Sequence, residues 1–213
     1  MDTVDFTLIH PFSAIIAGPS GAGKSSLVFK IIQEREHWIK SGIKKVLYIY
    51  LHYEPEFFKI QQADPDITFS NDIADIDNWT TPDSLIVIDD CINYLLVEKH
   101  RQAIEQFFIR KSHHLNISII CILQNIFPKN LRLVSINAQY FILFNFPRDK
   151  SSVMRMAAQC NPGNSRFITD AYIKACSKQK HGHLVLDFHP KSPNVKFFAR
   201  LSLFADDCDV YIE

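Results

Sequence analysis

A strand-like apolar run, Phe12 to Ala17, leads directly into Gly18-Pro19-Ser20-Gly21-Ala22-Gly23-Lys24-Ser25, and a helix-like run from Ser26 to Glu36 follows. The eight-residue segment fits the phosphate-loop pattern G-x-x-x-x-G-K-[S/T] at every fixed position, and its strand–loop–helix setting is the one that pattern requires. Glycines let the backbone curl until successive N–H groups converge on phosphate oxygens, and the helix behind adds the positive end of its dipole. Lys24 is placed to reach the β- and γ-phosphates, the Ser25 hydroxyl to hold Mg²⁺, and Ser26 to complete the binding segment. The feature predicts a nucleoside triphosphate site and a buried parallel sheet behind it.

The rest of the chain is compatible with such a sheet. Strand-like and helix-like segments alternate, as in an α/β domain. Strands are expected at Lys45–Tyr50, Ser84–Ile88, Asn116–Leu123 and Gln139–Phe144, with a short one at Ile67–Phe69 inside a Pro- and Asp-rich connection over 54–83. Helices are expected at 93–111, 128–134, 149–159 and 165–177. Two late strands, His183–Phe188 and Val195–Phe204, flank a Pro-rich turn and predict a hairpin. With 213 residues and no evident linker, residues 1–213 are read as one domain.

Leu85-Ile86-Val87-Ile88-Asp89-Asp90 has the form of a Walker B strand that delivers two carboxylates at its end. Asp89 is the expected second Mg²⁺ partner, opposite Ser25. Asp90 could accept a proton from the attacking water or orient it. Asp stands where many related ATPases have Glu, one methylene longer. Gln124 closes the strand Ile117–Leu123 and is read as a sensor near the γ-phosphate. The order of these motifs fits NTPases that insert a strand between the phosphate-loop strand and the Walker B strand. For an arginine finger, a permanent planar cation facing the transferred phosphoryl group, Arg110 is the first candidate and Arg148 the second.

Net charge is zero, but unevenly spread: residues 126–200 hold 12 Lys/Arg against 3 Asp/Glu, whereas residues 1–125 hold 11 against 16. That asymmetry points to a polyanion-facing surface late in the chain. The five cysteines are scattered without a C-x-x-C pair, which fits reduced thiols better than disulfides or zinc. The acidic start Met1-Asp2-Thr3-Val4-Asp5 lacks a secretory pattern, and no apolar stretch is long enough for a bilayer, so an intracellular protein without a membrane role is expected.

Several of these segments together carry a family resemblance: Gly18–Ser25, Leu85–Asp90, Arg110-Lys111-Ser112-His113-His114, Ile122-Leu123-Gln124-Asn125, Asn145-Phe146-Pro147-Arg148-Asp149-Lys150, and Gly182 through Pro190. The chain resembles viral genome-packaging ATPases of the FtsK/HerA superfamily, the poxvirus-like enzymes of large DNA viruses, virophages, adintoviruses and Polinton-type elements. The resemblance implies a three-layer P-loop NTPase of the additional-strand, RecA-like kind, with a mainly parallel central sheet and a C-terminal β-hairpin. It further implies a ring-forming motor that uses ATP and Mg²⁺ to push double-stranded DNA into a preformed capsid. Lys24, Ser25, Asp89, Asp90 and Gln124 would form the cis site and Arg110 the finger from a neighbour. A capsid or portal-vertex protein would be the partner, at a nuclear or cytoplasmic assembly site or in the virion. Lys129, Arg132 and Lys150 are candidate DNA-phosphate contacts.

Two other readings use the same loop. A small-molecule kinase would transfer the phosphoryl group to a nucleoside, but no Arg-rich lid is evident. A non-hydrolysing, NTP-gated assembly scaffold is kept open by Asp90 in place of Glu. A GTPase is disfavoured because no Asn-Lys-x-Asp base-reading motif occurs.

Overall fold

The structure is a computed structural model that describes residues 7–40, 42–90, 94–127, 131–192, 198–200 and 210–211. Its strands are β1 (Leu8–Ile9), β2 (Ser13–Ala17), β3 (Ile39–Lys40), β4 (Lys45–Ile49), β5 (Ile67–Ser70), β6 (Ser84–Ile88), β7 (Ile117–Leu123), β8 (Tyr140–Phe144), β9 (His183–Asp187), β10 (Phe198–Arg200) and β11 (Val210–Tyr211). The helices are α1 (Lys24–Gln33), α2 (Arg35–Trp38), α3 (Pro55–Ala63), α4 (Asp75–Asn78), α5 (Glu98–Gln106), α6 (Ser112–Leu115), α7 (Arg132–Asn137), α8 (Lys150–Cys160) and α9 (Ser165–Lys178).

Nine strands form one sheet in the order β11-β10-β9-β8-β2-β7-β6-β4-β5. From β8 to β5 every pairing is parallel, and β9, β10 and β11 add on antiparallel. β7 lies between the phosphate-loop strand β2 and the Walker B strand β6, the inserted-strand order that the motifs predict. The β9–β10 pairing confirms the late hairpin, although its second strand is described only over Phe198–Arg200.

The central strands are apolar throughout because both faces are covered, as parallel sheets require. Ile15, Ala17, Ile86, Ile88 and Cys121 point toward α5, α7, α8 and α9, where Ile104, Val134, Val153 and Ile168 meet them. Their alternates Ala14, Ile16, Val87, Ile120 and Ile122 point toward α1 and α3, against Val28, Ile31, Ile32 and Phe57. The result is the three-layer P-loop NTPase architecture. Among the described residues, no helix is long and apolar enough to cross a membrane.

Sequence and structure differ at several boundaries. The helix expected at 93–111 begins at Glu98 after a single tight turn at Tyr94–Leu96, and it widens into π-type geometry over Phe107–Lys111 before α6. The helix after the phosphate loop starts earlier, at Lys24, and is interrupted at Glu34. The 54–83 connection contains a nine-residue helix, α3, started by Pro55, whose fixed φ suits the first helical turn. The expected helix near 128–134 is instead Arg132–Asn137, and residues 128–130 lie outside the described set.

Three buried histidines, His189 together with His10 and His183, give the fold a pH dependence. His10 pairs through Nδ1 with the Ser118 hydroxyl (2.7 Å), and His183 donates from Nδ1 to the His181 carbonyl (3.1 Å). Burial lowers the pKa of all three from the ordinary 6.5. Between the folded and unfolded pKa values the unfolded chain binds more protons, so stability is complete above about pH 6.5 and declines as pH falls below it. Each histidine contributes a slope of at most about 1.4 kcal/mol per pH unit. The urea midpoint should therefore drop between pH 7.5 and pH 5.5, and His183→Gln should flatten the drop. A midpoint constant over that range would contradict this account.

Candidate active site

The carboxyl ends of β2, β7, β6, β4 and β8 share one edge of the sheet, where open α/β sheets bind their ligands. The phosphate loop leaves β2 there, tied at its start by the Gly18 N–H donating to the Leu123 carbonyl at the end of β7 (3.1 Å). Gly23 caps α1 with φ 100°, a left-handed conformation that costs a side-chain-bearing residue strain. Lys24, 9% exposed, donates from Nζ to the Pro19 carbonyl (2.9 Å) and so spans the loop it belongs to. Burial depresses its pKa, while Asp89 and Asp90 push it back up.

Asp89 leaves the end of β6 with its carboxylate fully engaged. Oδ2 accepts from the Ser25 hydroxyl (3.1 Å) and from the Tyr48 hydroxyl (2.6 Å), and Oδ1 accepts from the Asp90 N–H (2.9 Å). Ser25 and Asp89 are thus brought together as expected, 64 positions apart in sequence. Tyr48 is the unforeseen partner. It is wholly buried on β4, and burial beside Asp89 raises its pKa so that it stays a neutral donor. Asp90 stands in a left-handed backbone conformation (φ 53°) and accepts from Gln124 Nε2 (3.2 Å). The expected sensor and the second Walker carboxylate are therefore in contact.

The Ser25–Asp89 pair suits Mg²⁺. Both groups offer hard oxygen atoms beside the phosphate loop, and Mg²⁺ characteristically takes one or two protein oxygens and completes its shell with substrate phosphate and water. No cluster of three or more His, Cys, Asp or Glu suited to a metal ion occurs among the described residues.

Two cavities flank the loop. The smaller, about 240 Å³, is lined by Ser20, Lys24, Ser25, Asp89, Asp90 and Gln124, and closed on its far side by the β4–α3 connection. The larger, about 750 Å³, opens on the other side of Lys24 between α1 and the α9–β9 turn, with Ser26, Lys30, Phe144, Gln179, Lys180 and His181 around it. His181 Nδ1 donates to the Ala22 carbonyl (3.0 Å), fastening that turn to the phosphate loop. Nothing in the local sequence marked His181, which reaches the site only because β9 pairs beside β8.

The remaining candidates lie outside both cavities. Arg110 is exposed on the wide turn Phe107–Lys111, which feeds the amino end of β7, roughly 20 Å of strand from Gln124. Arg148 is exposed in the turn after β8, at the phosphate-loop edge. Arg132 opens α7 and Lys150 opens α8, both exposed. Lys129 falls outside the described residues.

No protein-family model matches the chain, and no curated protein matches it in sequence. Solved structures do. The DNA-packaging ATPase B204 of Sulfolobus turreted icosahedral virus superposes with TM-score 0.57 at 17% identity, covering 84% of this chain and 94% of that one. The genome packaging NTPase B204 of Sulfolobus turreted icosahedral virus 2, in complex with AMP, gives 0.53 at 13%, covering 84% and 93%. The cytoplasmic domain of the type VII secretion ATPase EccC from Thermomonospora curvata gives 0.57 at 12%, covering 85% of this chain and 24% of that one. At these identities the likeness establishes the fold, and the P-loop NTPase fold that the resemblance implies is borne out.

Proposed function

We propose that this chain is an ATP-hydrolysing motor of the FtsK/HerA type that drives double-stranded viral DNA into a preformed capsid, working as a ring. One observation carries the reading: the phosphate loop, the Ser25–Asp89 oxygen pair and the Asp90–Gln124 pair converge on a single cavity. They do so in a fold shared with viral packaging ATPases.

The two cavities give the triphosphate a direction. Asp89, Asp90 and Gln124 mark the γ-phosphate end, so the chain of phosphates crosses Lys24 and the nucleoside lies in the larger cleft against Lys30 and Gln179–His181. Loop N–H groups and Lys24 neutralise phosphate charge. Ser25 and Asp89 would hold Mg²⁺, which would supply charge neutralisation for the triphosphate. Asp90 and Gln124 orient the water for in-line attack.

The small cavity is short of cations. Among the described residues, Asp89, Asp90 and Glu54 line it against the single ammonium of Lys24, although an ATP with about four negative charges must enter. A guanidinium from a neighbouring subunit would redress that balance, and an exposed Arg110, remote from its own loop, suits a role in trans. Arg132 and Lys150, with Lys129, would track the DNA backbone, and a capsid or portal-vertex protein would anchor the ring inside the infected cell or the virion.

Steady-state ATP turnover, measured with and without long double-stranded DNA over a range of protein concentrations, tests the proposal. Stimulation by DNA that rises cooperatively with protein concentration, and vanishes in Asp90→Asn, is the expected result. Turnover indifferent to DNA in assembled oligomers would refute the translocase and favour a kinase. Binding without turnover would favour the scaffold.

A further inference from the structure

The connection from β4 to α3, residues 50–54, forms one wall of the small cavity, with Tyr50, His52 and Glu54 facing Lys24, Ser25, Asp89, Asp90 and Gln124. β4 lies directly beside the Walker B strand, on the side away from β7, so its carboxyl end opens onto the same pocket. Glu54 therefore brings a third carboxylate to the γ-phosphate end, from the wall opposite Gln124.

The two Walker carboxylates are already committed. Asp89 accepts three hydrogen bonds and belongs to the Ser25 pair. Asp90 is short, held in a left-handed backbone, and bonded to the Gln124 amide. Glu54 is different on each count. It occupies the N-cap position of α3, where Ser, Thr, Asp or Asn are preferred, yet its side chain makes no capping bond; its main-chain carbonyl accepts from the Phe57 N–H instead (3.0 Å). Pro55 restricts the preceding residue to extended conformations, and Glu54 has φ −115° and ψ 135°. Its backbone is thus fixed while its carboxylate is uncommitted to the helix.

The wall is also rigidly registered to the metal pair. Phe57, buried on α3, stacks on Phe69 (4.7 Å between ring centroids) and leans on Tyr50 (5.0 Å) and Tyr48 (5.6 Å). Tyr48 is the residue whose hydroxyl holds Asp89. One aromatic cluster therefore positions both Glu54 and Asp89, and the charge of Glu54 is near enough to add to the forces keeping the Tyr48 hydroxyl protonated.

We propose that Glu54 is the general base of the hydrolytic step, the role that Asp90 would otherwise fill, with Asp90 and Gln124 holding the attacking water from the opposite side. The inference rests on the hydrolytic reading given above. The water oxygen forms a bond to the γ-phosphorus, the bond from that phosphorus to the β–γ bridging oxygen breaks, and its electron pair leaves on ADP. The water proton passes to the Glu54 carboxylate and from there to solvent or the departing phosphate. A glutamate arm compensates for the methylene that Asp90 lacks.

The experiment compares Glu54→Gln, Glu54→Asp and Asp90→Asn with wild type, using a fluorescent ATP analogue for affinity and single-turnover ATP cleavage for chemistry. Glu56→Gln, on the exposed first turn of α3, is the control expected to behave as wild type. Glu54→Gln should bind within about threefold of wild type, lose cleavage about 100-fold or more, and lose the acid limb of the pH–rate profile. Glu54→Asp should fall between the two. Cleavage by Glu54→Gln within about threefold of wild type overturns the assignment and returns the base to Asp90, leaving hydrolysis itself intact. Loss of binding in Glu54→Gln also overturns it, since a proton acceptor is not needed to hold ATP. Wild-type protein that binds ATP but never cleaves it sinks the hydrolytic reading and this inference with it.

Discussion

Replacing Lys24 with alanine should lower ATP turnover about 10³-fold or more and weaken triphosphate binding with it. Lys24 is buried between the phosphate loop and the two carboxylates at the end of β6, in a setting that depresses its pKa. A bound triphosphate reverses that pressure, because its charge favours the ammonium. At an effective dielectric constant near 20 one such contact at about 4 Å contributes roughly 4 kcal/mol, about a thousandfold. The alanine variant also removes the one Lys or Arg that lines the small cavity with Asp89 and Asp90 among the described residues. Turnover and analogue binding measured together check this; a variant within tenfold of wild type in both would mean that the triphosphate does not cross the loop as described.

Gly182→Ala should cost about 3 kcal/mol of stability, roughly 8 °C in melting temperature for a chain of this size. A Cβ at Gly182 would fall inside the contact limit of the Ala175 carbonyl oxygen and 3.2 Å from the Ala175 carbonyl carbon and the Cys176 Cα. These are backbone atoms of α9, which cannot rotate aside. The same turn carries His181, fastened to the Ala22 carbonyl, so the displaced chain should also loosen the phosphate loop and lower nucleotide affinity. His181→Ala separates the two effects, since it removes the fastening without the clash and should lower affinity while leaving the melting temperature close to wild type. A Gly182→Ala protein with unchanged melting temperature would show that α9 and the turn can part without cost.

The legible parts of the site are those written locally. Gly18–Ser25 needs only its own strand and helix, and Leu85–Asp90 its own strand, because buried parallel strands read as unbroken apolar runs with polar groups where they end. Gln124 was visible for the same reason. Tyr48, His181 and Glu54 were not, since each comes from a strand or turn that only sheet order brings to the phosphate loop. Tyr48 is hidden further by its surroundings: in Val46-Leu47-Tyr48-Ile49 an aromatic reads as core, and its ring is core, with only the hydroxyl at work. In the fold, α3 was masked by the Pro- and Asp-rich composition around it, and the two-residue β1–β3 pairing is too short to leave a pattern. Arg110 shows the opposite lesson. The resemblance implies a finger acting from a neighbour, and the structure sets Arg110 toward the amino end of β7, away from its own phosphate loop, so the proposed role requires a second subunit.

Displacement of a triplex-forming oligonucleotide from linear double-stranded DNA, followed in real time on ATP addition, tests the motor most directly. The account predicts displacement that requires hydrolysable ATP, lags in proportion to the DNA length between the loading end and the triplex, and disappears in Lys24→Ala. DNA-stimulated ATP turnover without displacement, at any length of DNA, would contradict it.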